Sequence, residues 1–182
     1  VVKARELLPL IDFAYQGFGD GLEEDAWAVR LLAAELPELL VTSSCSKNFG
    51  LYRERTGALL VCSGDAQKLL DVRSQLALLA RNLWSTPPDH GAAVVAQILG
   101  DPALKHLWVE EVDAMRQRIA QLRTGLVEAL APHGLSERFA HIAQQRGMFS
   151  YTGLSAEQVR QLRERHSVYL VSTGRANIAG AD

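Results

Sequence analysis

The order of hydrophobic and polar positions changes period several times along the chain, and each change predicts an element. LLPLIDFAYQGFGDG opens with an apolar run, holds the acid Asp12 inside it, and ends in Gly17, Gly19 and Gly21, which predicts a buried strand entering a loop. Ala26, Val29, Ala33 and Leu36 then recur at helical spacing before Pro37, predicting a helix over 23–36. LLVTSSCSK reads as a strand, so strand, helix and strand form a βαβ unit, in which ligand-binding loops gather at the strands' carboxyl ends. On this reading Asp12 and Lys47 face one crevice. GALLVCSG (57–64) is a further apolar strand in an expected parallel sheet buried on both faces, followed by Asp65 as a helix N-cap.

Leu69, Val72, Leu76, Leu79 and Leu83 predict an amphipathic helix over 66–84, stopped by Pro87-Pro88, and a shorter helix follows over 90–99. Asp101-Pro102 reads as an N-cap with Pro at the first helical position. Leu104, Leu107, Glu111, Met115, Ile119, Leu122, Leu126 and Ala129 mark one face of a helix running to Pro132. At ~1.5 Å per residue its length is about 40 Å, more than a small domain needs, so it is expected to bridge two domains with the boundary inside it. Beyond it come a strand at 147–152, a helix at 156–165 behind the capping box Ser155-x-x-Gln158, a strand at 167–172 and a short extended piece at 175–179.

Composition narrows the function classes. With 48% hydrophobic and 22% charged residues in 182, the chain can bury a core without disulfides or metal, which excludes disorder. Nineteen Lys and Arg against 21 Asp and Glu leave a net charge of −2, no excess for neutralising phosphates, so nucleic acid is not an expected partner. The longest run without Asp, Glu, Lys or Arg, His90 to Gly100, is too short for a membrane span. The first residues carry no apolar signal segment and no initiator Met, so the N-terminus reads as cut and the chain as cytoplasmic. Cys45, Cys62 and the five histidines fall in no metal-ligand spacing.

The chemistry concentrates in TSSCSKNFG. A lysine at a strand end among apolar neighbours and near another cation has its charged form disfavoured, which frees a nucleophilic amine for a Schiff base. The alternative is a solvated surface lysine. Ser44, Ser46 and Arg55 can hold a phosphate through hydroxyl and guanidinium contacts. Asp12, an acid inside an apolar strand, must find a partner; it can hold a pyridinium nitrogen protonated, and Tyr15 can donate to a ring oxygen. Read blandly, Asp12 caps a turn and Tyr15 packs in the core.

Jointly these pieces resemble the class I aminotransferases of the fold-type I pyridoxal-phosphate enzymes, in the aspartate and aromatic amino acid branch. The resemblance rests on D-x-A-Y from Asp12, S-x-S-K-N-F-G-L-Y-x-E-R-x-G from Ser44, R-x-x-W-S-x-P-P from Arg81, R-G-M-F-S-Y-T-G-L from Arg146, and G-R-x-N-x-A-G from Gly174. It implies an α/β fold: residues 1–115 as the C-terminal part of a large three-layer α/β/α cofactor-binding domain, a long bridging helix, and 116–182 as a smaller α+β domain incomplete at its end. It implies a pyridoxal 5′-phosphate-dependent transaminase acting between aromatic or dicarboxylic amino acids and a 2-oxo acid such as 2-oxoglutarate, by a ping-pong route.

The same resemblance implies roles. Lys47 forms the Schiff base and shuttles a proton, Asp12 pairs with the pyridinium nitrogen, Tyr15 bonds the 3′ oxygen, and Ser44, Ser46 and Arg55 bind phosphate. Arg175 grips the substrate α-carboxylate, Phe149 borders the substrate pocket, and Arg81 reaches the neighbouring subunit's site in a homodimer to pair with a dicarboxylate's distal group. Without the family, Arg175 is a strand-end arginine in a salt bridge, Arg81 a solvated residue near a helix end and Phe149 core packing. The family's usual Asn and Tyr after this last arginine are Leu83 and Trp84 here, and the Tyr151 context is closer to the aromatic branch. Family chains begin far upstream and continue past Gly180, so this chain is expected to be a fragment, inactive alone. The rival reading is a non-catalytic aminotransferase-like module that senses ligand within a regulator.

Overall fold

The computed structural model describes residues 1–180; Ala181 and Asp182, the expected end of the second domain, lie outside the described residues. By its contacts the chain divides into two compact units, Val1–Gln16 with Leu22–Glu110, and Gly17–Gly21 with the residues from Glu111 onward. The division falls inside the longest helix, between Glu110 and Glu111, earlier than the expected break after residue 115. The grouping of Gly17–Gly21 with the C-terminal residues has no counterpart in the sequence reading.

The first unit is built on a three-stranded sheet of β1 (Leu10–Phe13), β2 (Glu38–Ser44) and β3 (Gly57–Ser63), in that spatial order. Helix α1 (Trp27–Glu35) returns the chain so that β1 and β2 pair in parallel, with Asp12 opposite Thr42. β3 runs antiparallel to β2, with Ser44 opposite Gly57, so the sheet is mixed and not all-parallel as expected. The twelve-residue loop holds only a short turn at Tyr52–Glu54 and no α-helix of the kind that usually carries a parallel crossover, and it turns the chain back. Gly57 is required at this return, because a Cβ there meets the Ser43 carbonyl oxygen at 2.5 Å. Burial also departs from expectation. Leu39 and Val41 of the central strand β2 are enclosed, but Leu10 of β1 and Leu59 and Leu60 of β3, the strands with one neighbour each among the described residues, are exposed.

Helix α2 (Ala66–Trp84) starts where Asp65 Oδ1 accepts from the backbone N–H groups of Gln67 and Lys68, and it stops at Ser85, whose φ of +58° breaks the helical backbone. Helix α3 (His90–Gly100) sets Gly91 against the end of the β2–β3 loop, where a Cβ would collide with Thr56 Oγ1. Helix α4 (Pro102–Leu130) is capped by Asp101 Oδ1, which accepts from Ala103 and Leu104 N–H.

The second unit packs Phe18, Ile119, Ala176 and Ile178 into a core, with Leu122, Met148, Leu170 and Ala179 against it. β4 (Phe149–Tyr151) and β5 (Arg175–Asn177) form an antiparallel pair; α5 (Ser136–Ala143), which the apolar pattern did not predict, precedes β4 in sequence, and α6 (Ala156–His166), which has the expected capping box, lies between the two strands. The expected strand at 167–172 is absent. Ser167 turns left-handed to end α6, Leu170 packs on the core, and Val168, Tyr169 and Val171 stay exposed without a ladder partner among the described residues.

The predicted apolar face of α4 is only partly used. Ile119 is buried, but Met115 and Leu126 are exposed, and the enclosed positions include Arg123 at 3% exposure. Its Nε donates to Ser150 Oγ at 3.0 Å and its Nη2 to the carbonyls of Phe149, at 3.1 Å, and Gly147. Burial lowers its pKa from the ordinary arginine value, and the three acceptors offset the desolvation of a guanidinium. Replacing Arg123 by Ala should cost about 3–5 kcal/mol, since three acceptors lose their donor, and Arg123→Lys, which cannot fork, roughly half as much. Urea unfolding of the whole protein followed by circular dichroism checks both.

Candidate active site

Parallel pairing brings the carboxyl ends of β1 and β2 side by side, and the chain after each end carries the reactive groups. Beyond β2, Cys45 N–H donates to the Thr56 carbonyl at 3.0 Å, extending the ladder one step. Ser44 Oγ accepts from the Ser46 N–H at 3.2 Å and lies 3.1 Å from Ser46 Oγ, forming a hydroxyl pair whose second member is buried. The chain then reverses in a tight turn, Lys47 to Gly50, closed by the Gly50 N–H on the Lys47 carbonyl at 3.1 Å; Gly50 takes φ +67°, where a side chain is strained.

Lys47 is the first residue of this turn and is half-buried. Its Nζ stands 4.5 Å from the centre of the Tyr15 ring, which arrives from the end of β1. Asn48 is buried, and its Nδ2 donates to the Gln16 carbonyl at 3.3 Å, fastening the turn to the residue after Tyr15. Its Oδ1 has no protein donor among the described residues. Trp108 of α4 closes the other side: Nε1 donates to the Asn48 carbonyl at 2.8 Å, and its ring stacks on Phe49 with centroids 4.5 Å apart and planes 13° from parallel.

Lys47, Tyr15, Ser44 and Ser46 thus gather at the ends of two neighbouring strands. Asp12 lies in register with Thr42 on β1 but is exposed, where a buried acid was expected, because its face of the strand is left uncovered by the described residues. Arg55 takes a left-handed backbone conformation, is exposed, and donates from Nη1 to the Tyr52 carbonyl at 2.7 Å, so the structure does not bring its guanidinium to the hydroxyl pair. Arg81 lies exposed on the last turn of α2, beside the exposed Leu83 and Trp84. In the second unit, Arg175 lies opposite Tyr151, and its guanidinium carbon is 4.6 Å from the centre of the Phe149 ring. These two are brought together there. The described residues hold no cluster able to bind a metal ion, and no helix among them is long and apolar enough to cross a membrane.

The family model for aminotransferases of class I and II matches residues 1–182. The aromatic-amino-acid aminotransferase of Pseudomonas aeruginosa is 78% identical over the whole of this chain, which covers 46% of that protein, and the aspartate aminotransferase of the same organism is 47% identical over 179 residues, 98% of this chain and 45% of that protein. The crystal structure of the aromatic-amino-acid aminotransferase from Burkholderia pseudomallei, covalently bound to pyridoxal phosphate, superposes with a TM-score of 0.96 at 49% identity, over 100% of this chain and 45% of its own. The chain spans about half the length of the relatives it matches.

One neighbour of the lysine titrates away from its ordinary value. Burial raises the Cys45 pKa, so the thiol form dominates near neutrality and nucleophilic thiolate is scarce. Iodoacetamide should therefore label Cys45 in the native protein more slowly than an unstructured cysteine peptide at pH 7.5, and faster as pH rises toward the raised pKa. Peptide mass spectrometry of timed quenches measures this.

Proposed function

Because the chain belongs to the aminotransferase class I and II family, we propose that the protein it forms part of is a pyridoxal 5′-phosphate-dependent transaminase. It moves an amino group between aromatic or dicarboxylic amino acids and a 2-oxo acid such as 2-oxoglutarate. The observation that carries this reading is the Lys47 amine over the Tyr15 ring at paired strand ends, beside the Ser44–Ser46 hydroxyl pair. The donor set fits the cofactor group by group: an amine for its aldehyde, hydroxyls for its phosphate, a carboxylate for its ring nitrogen and a phenol for its ring oxygen. The relatives are named as enzymes, which favours catalysis over a ligand-sensing module.

Bound there, the cofactor supplies an electron sink for charge developing at the substrate α-carbon. Lys47 provides the amine that holds it and moves the proton at that carbon. Asp12 keeps the ring nitrogen protonated, and Tyr15 donates to the 3′ oxygen. Ser44 and Ser46 bind the phosphate, joined by Arg55 once its guanidinium leaves the Tyr52 carbonyl. Arg175 takes the substrate α-carboxylate in a two-pronged contact, with Phe149 bordering the side chain. Arg81 serves the neighbouring site of a homodimer, pairing with a distal carboxylate. The free thiols of Cys45 and Cys62 suit a reducing compartment, and we place the enzyme in the cytoplasm.

In the whole protein, Lys47→Ala should abolish the visible absorbance that grows on adding pyridoxal phosphate and lower transamination about 10²–10⁴-fold; turnover at the unmodified rate would overturn the assignment. Arg81→Leu should lower kcat/KM for aspartate and glutamate by roughly 2–4 kcal/mol and spare phenylalanine and tyrosine. Equal losses across a panel of amino donors would remove Arg81 from the substrate site.

A further inference from the structure

Lys47 has a long flexible stem, so where its amine stands depends on where the turn beneath it is held. That turn is gripped from two sides. On one, Asn48 Nδ2 reaches the Gln16 carbonyl, next to Tyr15. On the other, Trp108 makes two independent contacts with the two residues after the lysine: the indole N–H on the Asn48 carbonyl at 2.8 Å, and the ring face on Phe49 at 4.5 Å. The Asn48 carbonyl lies inside the turn that the Gly50 N–H closes, so its direction depends on how the peptide between Asn48 and Phe49 is rotated. A half-buried indole N–H needs an acceptor, which makes this carbonyl's orientation and the tryptophan's position mutually dependent. Trp108 is half-buried in a stretch of α4 where Leu104, Leu107 and Val109 are exposed.

We propose that Trp108 is a positioning residue for Lys47: through the Asn48 carbonyl and the Phe49 ring it fixes the Lys47–Gly50 turn so that the lysine amine stands over Tyr15. The proposal rests on the reading of Lys47 as the cofactor-binding lysine and adds a residue 61 positions away that acts through the turn. A shift of the turn by about 1 Å carries the amine out of reach of a correctly seated aldehyde, a displacement that can cost about 10²-fold in rate.

The test uses the whole protein freed of cofactor. Pyridoxal phosphate is added, growth of visible absorbance is followed by stopped flow, and the adduct is reduced with borohydride and located by peptide mass spectrometry. Trp108→Phe, which keeps a ring on Phe49 and loses the N–H, should slow capture at Lys47 about 10-fold, and Trp108→Leu, which loses both contacts, about 100-fold. In steady-state turnover Trp108→Phe should lower kcat with KM for the amino donor unchanged. Val112→Ala, which opens space at a buried position elsewhere on α4, should lower the melting temperature as much or more and leave capture at the unmodified rate. Capture by both Trp108 variants at the unmodified rate, or equal slowing in Val112→Ala, overturns the proposal. Failure of the unmodified protein to capture at Lys47 instead overturns the functional reading on which it stands.

Discussion

Two strands pair in parallel with Asp12 opposite Thr42, and this register decides which side chains can meet beyond their ends. Alternate residues on a strand point to opposite faces, so slipping β1 by one position against β2 would exchange the faces presented by Asp12 and Phe13 and redirect the chain that carries Tyr15. The register is held by Leu39 and Val41, which must be enclosed, and by Thr42 Oγ1, which lies 3.4 Å from the Ile11 carbonyl. Everything at the lysine follows from that alignment. The Ser44–Ser46 pair, the Lys47–Gly50 turn and the Tyr15 ring are each short continuations of a strand whose place is already set.

The loop bearing Lys47 joins antiparallel neighbours, and that geometry constrains its backbone. Its two ends are laced by the β2–β3 ladder and the Cys45–Thr56 bond, so twelve residues must close on themselves over a fixed gap. Gly57 allows the close approach to the Ser43 carbonyl, and Gly91 lets the first turn of α3 press on Thr56. Closure leaves the lysine few backbone alternatives, which suits a residue whose amine has to be in one place before its reaction partner arrives.

In the second unit a buried cation does comparable work. Arg123 ties α4 to the Gly147 and Phe149 carbonyls and to Ser150, ordering β4 from one side while β5 pairs with it on the other. Arg175 and Phe149, to which we assign the substrate roles, are therefore supported by a buried charged group on the neighbouring helix. The large exposed side chains of β1, β3 and α2, among them Leu10, Leu60, Leu79 and Trp84, accord with a chain that spans about half the length of its relatives.

Local patterning determined the elements that depend on near neighbours. Helix α2 with its Asp65 cap, the Asp101-Pro102 start of α4 and the Ser155–Gln158 box were legible because each places its partner within a few residues. The candidate residues from Asp12 to Arg55 were legible as motifs, being compact in sequence, whereas which of them the fold brings together was not. Tertiary structure alone decided the direction of β3, the loss of a strand at 167–172, the exposure of Asp12, and the burial of Arg123, because strand direction depends on loop closure and burial on which faces find neighbours. Trp108 was invisible for the same reason. It stands 61 positions from Lys47, and no periodicity of α4 indicates that its N–H will meet the Asn48 carbonyl. A helix pattern records which side faces inward, whereas the particular carbonyl it meets is set by packing between segments far apart in the chain.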